Sequence, residues 1–166
     1  MNQQVLEVVK VGIADFNIAK HPQTIMTAGL GSCVGLILYD NFSDIAGLIH
    51  VMLPDSTMAR NKSFKEGKFA DTGIKALIEQ LEFKGVRKSS LKAKMAGGAQ
   101  MFNVKSENEM MKIGFRNVEA VRKQLKQYNI PIVAEDVGGN RGRTVEFMID
   151  ESLLKIRTIQ EGVTYI

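Results

Sequence analysis

One cysteine, Cys33, stands in 166 residues, so no internal disulfide can staple this chain. A bridge-held secreted scaffold is therefore excluded, and a reducing cytosol is the expected compartment. Tryptophan is absent, histidine occurs twice (His21, His50), and proline three times. Long apolar runs are also missing: a stretch such as Val34–Tyr39 falls far short of the ~20 residues that cross a bilayer. The start, Met1-Asn-Gln-Gln-Val-Leu-Glu7, has no basic leader, so neither a signal peptide nor membrane insertion is expected. Zinc would need at least three protein ligands, which one cysteine and two histidines make poorly. Gly97-Gly98 and Gly138-Gly139 lack the Gly-Lys-Ser/Thr of a phosphate-binding loop and read as tight turns. The net charge of +4 gathers at Arg60, Lys62, Lys65 and Lys68, at Lys84, Arg87, Lys88, Lys92 and Lys94, and at Arg141 and Arg143. No aromatic-basic interleaving accompanies these clusters, so they read as a solvated face rather than a nucleic-acid surface.

What is present is ordinary globular material, 45% hydrophobic and 24% charged. Val5–Ile13 reads as an opening strand, and Lys20–Gln23 as a loop before a hairpin. The hairpin consists of Val34–Tyr39, a turn at Asp40–Asp44, and a returning strand Ile45–Leu53. Lys65–Lys84 has helical spacing at Ile74, Leu77, Ile78 and Leu81, with Gly85 placed to end it. Leu91–Ala96 alternates like a half-buried strand. Asn117 is suited to cap a second helix striped by Val118, Val121, Leu125 and Tyr128. Ile132–Val137, Thr144–Ile149 and Leu153–Ile159 read as strands, the first two joined across Gly138–Gly142. Glu107–Gly114 reads equally as loop or short helix. One α/β (α+β) domain of layered sheets over residues 1–166 is expected.

Chemistry centres on Thr27-Ala-Gly-Leu-Gly-Ser-Cys33, followed seventeen positions later by His50. If the hairpin turn is centred between Phe42 and Ser43, His50 lies opposite Gly35, and Cys33 shares its face on the diagonal. Diagonal neighbours lie roughly 7–8 Å apart, within reach of an imidazole turning toward a sulfur. A register slip of one residue would send His50 to the other face. Gly35 has no side chain to fill the space between them. A neighbouring imidazolium lowers a thiol pKa from about 8.5 into the ~3.5–7.5 range. Backbone N–H groups near Cys33, at Gly31 and Ser32, are suited to hold an oxyanion. A nucleophile, a base and an oxyanion site are the minimum for acyl transfer. The base also needs an orienting group. Thr27, Asp55, Asp40 and Asp44 stand equal for that role on the residues alone, and His21, before Pro22 in a polar loop, reads as a surface residue.

With these residues in place the sequence resembles the CheD family, chemoreceptor glutamine deamidases of bacterial and archaeal chemotaxis. The resemblance rests on Thr27-x-Gly-Leu-Gly-Ser-Cys33-Val-Gly, Ala46-Gly-Leu-Ile-His50-Val-Met-Leu-Pro54 and Lys92-Ala-Lys-Met-Ala-Gly-Gly-Ala-Gln-Met-Phe102. Ile113-Gly-x-Arg-Asn117 and Gly138-Gly-x-x-Gly-Arg143-Thr complete it. It implies packed mixed β-sheets flanked by two or three helices, similar to the catalytic domain of cytotoxic necrotising factors. It implies Cys33 as nucleophile, His50 as general acid/base and Thr27 as the group orienting His50, with no metal or organic cofactor. The implied substrates are glutamines on cytoplasmic helices of methyl-accepting chemoreceptors, and the implied partner is the CheC phosphatase, which acts on phosphorylated CheY. Phe102 is the residue expected to contact a partner. The alternative expectation is a regulatory module whose main role is docking to CheC.

Overall fold

A computed structural model describes residues 7–101 and 112–166. Among the described residues, ten strands make two five-stranded sheets. The first sheet has the order β1 (Val8–Lys10), β3 (Thr24–Leu30), β8 (Arg143–Met148), β9 (Leu153–Thr158), β10 (Gly162–Tyr165). The second has the order β2 (Phe16–Lys20), β5 (Ile45–Val51), β4 (Val34–Tyr39), β6 (Lys92–Gly97), β7 (Ile132–Val137). Each sheet is mixed, with one parallel pair: β1 with β3, and β6 with β7. Two α-helices are found among the described residues, α1 (Ala70–Phe83) and α2 (Ile113–Gln127).

The layers follow from which residues are apolar. Every residue of β4, Val-Gly-Leu-Ile-Leu-Tyr, is buried. A continuous apolar run of that kind marks a strand covered on both faces. Val34, Leu36 and Leu38, with Ile49 and Val51 of β5, pack under Ile74 and Leu77 of α1 and Val118 and Val121 of α2. On the opposite face, Ile37, Tyr39 and Leu48 meet Ile25, Val145, Phe147 and Ile156 of the first sheet. The order is thus helices, second sheet, first sheet, with two apolar seams between three layers.

The hairpin register agrees with expectation, Gly35 opposite His50 and Val34 opposite Val51. Ile132–Val137 forms a strand at its expected bounds, β8 is displaced by one residue, and β9 starts as expected at Leu153 and ends one residue early. Other expectations need correction. The opening strand narrows to Val8–Lys10, and the expected Lys20–Gln23 loop is flanked by two strands, β2 and β3, where no strand is expected. The helix expected from Lys65 begins at Ala70, after a 3-10 turn over Glu66–Lys68. The strand ending at Gly97 is buried along nearly its whole length rather than half-buried. Asn117 lies inside α2 and caps nothing. Gly138–Gly142 joins β7 to β8 as expected, carrying the chain from one sheet to the other. The basic clusters do not form one solvated face, because Lys94 and Arg143 are buried. Phe102 lies outside the described residues.

Candidate active site

Cys33 sits immediately before β4, where β4 begins and β5, β6 and β7 end. Its sulfur side belongs to the seam between the sheets, with Ile37 and Tyr39. The residue is 8% exposed, and Gly31 and Ser32 just before it are half-buried, so the thiol lies under a loop that reaches the surface. His50 is 1% exposed and shares the seam-facing side of β5 with Ala46 and Leu48. Strand alternation therefore sets Cys33 and His50 on one face, diagonal across the Gly35–His50 pair.

The third group comes from the other sheet. Thr27 Oγ1 lies 2.7 Å from His50 Nδ1 and donates to the carbonyl of Val11 at 2.7 Å. A hydroxyl has one proton and a carbonyl can only accept. The Thr27 proton is therefore committed to Val11, and the His50 contact requires Nδ1–H as donor. This fixes the tautomer: Nε2 carries the lone pair, and it is buried without a hydrogen-bond partner among the described residues. The backbone of His50 is held too, its N–H donating to Asp15 and its carbonyl accepting from Ala14.

Gly35 brings the two sheets close enough for this contact. A Cβ there would meet Leu30 Cδ1 at 3.0 Å and the Thr27 methyl at 3.5 Å. The gap beside Gly35 is accordingly filled by the first sheet rather than left open. A bulge between Thr27 and Leu30 interrupts the pairing of β3 with β8 next to the site, as bulges do where a side chain must be re-aimed. The carboxylate competitors are elsewhere. Asp55 accepts from Thr57 N at a 3-10 turn, and Asp40 accepts from the Phe42 and Ser43 amides within the hairpin turn.

The remaining motifs converge on the same loop. Gly98 N donates to Cys33 O, Ala99 N to Gly31 O, and Gly138 N to Gly97 O, at 2.8–2.9 Å. Gly97 has φ +109, and a Cβ there would run into the Cys33 carbonyl. Arg143 donates to the carbonyls of Gly97 at 3.2 Å and Gly138 at 2.9 Å, bracing this turn from beneath. Asn117 Nδ2 donates to Ser32 O and Met52 O. The Gly31 amide, expected as an oxyanion donor, is bonded to Gly29 O at 3.1 Å. Among the described residues, neither the Ser32 nor the Cys33 amide is given to a backbone carbonyl.

Electrostatics correct a further expectation. Burial pushes the Cys33 thiol pKa up and lowers that of His50 from 6.5 to about 4. Desolvation penalises both charged forms. Burial thus favours a neutral thiol and a neutral imidazole on this face over a thiolate and an imidazolium.

A cysteine, a neutral histidine with a free Nε2, and a hydroxyl locking that tautomer have the make-up of a thiol-dependent acyl-transfer site. The chain belongs to the CheD family: the family model described as "CheD chemotactic sensory transduction" matches residues 52–158. The chain is 55% identical over 156 residues to the chemoreceptor glutamine deamidase CheD of Halalkalibacterium halodurans, covering 94% of this chain and 96% of that one. It is 52% identical to that of Bacillus velezensis over the whole of both chains. It is 54% identical to that of Bacillus subtilis, over 93% of each.

Proposed function

We propose that this protein is a chemoreceptor glutamine deamidase that converts receptor glutamine side chains to glutamate through a thioester on Cys33. Its relatives, which match it over nearly their full length, bear that name. The observation that carries the mechanism is the Val11–Thr27–His50 relay, because it leaves His50 Nε2 as a base with an open lone pair. As the sulfur attacks the carboxamide carbon, the thiol proton passes to Nε2. The Ser32 and Cys33 amides hold the oxygen of the tetrahedral intermediate, each such donor contributing roughly 3–4 kcal/mol. The imidazolium then protonates the departing nitrogen, and the C–N bond breaks to release ammonia. Water, deprotonated by the regenerated imidazole, attacks the thioester; the C–S bond breaks, the sulfur regains its proton and glutamate leaves. Thr27 keeps the ring in the tautomer each step needs. The substrates are glutamines on the cytoplasmic helices of methyl-accepting chemoreceptors. Docking to the CheC phosphatase is a separate role that needs the surface and not the sulfur.

Mass spectrometry of receptor cytoplasmic peptides after incubation tests this reading. Wild type converts defined amides to acids and releases ammonia, whereas Cys33→Ala does neither while retaining CheC binding. Unchanged ammonia release from Cys33→Ala rejects the site. Thr27→Val lowers kcat by about a hundredfold and Thr27→Ser by far less, the hydroxyl rather than the methyl being required.

A further inference from the structure

The hydrogen bonds of Asn117 are not used by any chemical step above. Asparagine is a poor choice inside a helix, because its short amide competes with the backbone for partners. Asn117 nonetheless sits one turn into α2 and is 0% exposed. Its Nδ2 donates to two backbone carbonyls at 2.9 Å each. One is Ser32, the residue before the nucleophile, and the other is Met52, two residues beyond the base. Its Oδ1 has no partner. The donor end of the amide is therefore engaged while the acceptor end is left unsatisfied in the interior, a cost to stability with no compensating contact.

We infer that Asn117 is a positioning residue for the deamidation: its one amide group, bridging the carbonyls of Ser32 and Met52, sets the distance between the Cys33 sulfur and the His50 ring. The inference rests on the deamidase reading above. The approach of α2 to the loop is built for this contact. A Cβ on Gly114 would press into the carbonyls of Gly98 and Ala99, and one on Gly98 would press into Val118. Gly98 and Ala99 are themselves hydrogen-bonded to Cys33 O and Gly31 O. Helix, glycine turn and nucleophile loop thus form one block. Among the described residues, Asn117 is the side chain that ties this block by hydrogen bonds to the end of β5. Thr27 sets the rotation and tautomer of the ring, whereas Asn117 sets the spacing of the two backbones that carry the reacting groups.

The test compares full-length wild type with Asn117→Ala and the near-isosteric Asn117→Asp, using a glutamine-containing peptide from a receptor methylation helix. Three quantities are read: kcat and KM for ammonia release, folding by circular dichroism, and the rate of Cys33 alkylation by iodoacetamide across about pH 5 to 8. Asn117→Ala is expected to lower kcat by about tenfold to a hundredfold with KM within twofold of wild type. Its Cys33 alkylation should lose the support of His50 and follow the titration of a lone buried thiol. Asn117→Asp should recover part of kcat as pH falls, because its protonated carboxyl regains one donor. Folded variants with wild-type kcat and alkylation profiles would overturn the inference. Loss of the folded state in both variants would also overturn it, by reducing Asn117 to a folding residue. Ammonia release that survives in Cys33→Ala defeats the deamidase reading itself, a result separate from either of these.

Discussion

At the scale of residues, the neutrality of His50 has a consequence for stability. Its pKa falls from 6.5 when exposed to about 4 in the folded protein, because burial penalises the imidazolium. Between those values the unfolded chain binds a proton that the native state refuses. Stability therefore falls as pH drops through this window, and is fully retained above it, with a total depth of about 3 kcal/mol. Thermal melting of wild type and His50→Gln from neutral to acid pH should show the slope in wild type and its loss in the variant. If His50 is the base proposed above, the acid limb of kcat/KM should fall near pH 4 rather than 6.5. The register that sets Gly35 opposite His50 was legible in the spacing and turn, whereas the contact of Thr27 rather than an aspartate with His50 was not. That choice depends on a second sheet arriving beside Gly35, which local pattern cannot reveal. The thiol's state was misread for a related reason: proximity of an imidazole is visible in a register, but the depth of the seam around both groups is not.

At the scale of elements, strands and helices were legible where one period dominates. The all-apolar run of β4 and the helical stripe of α1 emerge directly, because burial on two faces or one face writes a simple pattern. β3 did not emerge: Thr-Ile-Met-Thr-Ala-Gly-Leu is interrupted by a bulge with exposed Ala28 and Gly29, so its alternation breaks just where the site needs it to. Asn117 misled as a cap because its residue type favours helix starts, while its partners lie far away in sequence. The packing of α1 on the second sheet gives a direct check. Leu77 is fully buried, and a Cβ on Gly47 of β5 would crowd it, so the helix rests against bare backbone there. Leu77→Ala should cost about 2–5 kcal/mol in urea denaturation, with kcat of the folded fraction unchanged because the cavity opens in the seam away from Cys33.

At the scale of the whole molecule, three layers meet at one end, and the separate glycine-rich motifs all serve that meeting point. The positive charge divides into two populations. Lys94 and Arg143 are buried and donate to backbone carbonyls, Lys94 to Ile166 and Arg143 to Gly97 and Gly138. Arg60, Lys62, Lys65, Lys84, Arg87 and Lys88 are exposed and free to act at long range. If these steer acidic receptor helices toward the site, raising salt from low to about 0.5 M should slow capture of a receptor fragment by about tenfold or more. Turnover of a short glutamine peptide should change by less than about twofold under the same conditions. Stopped-flow binding alongside ammonia release separates the two. The protonated sulfur beneath its loop also bears on survival. Peroxide oxidises the thiolate form, and burial holds this sulfur protonated. Ammonia release by this protein should therefore persist under peroxide that converts low-pKa thiol enzymes to sulfenic acids.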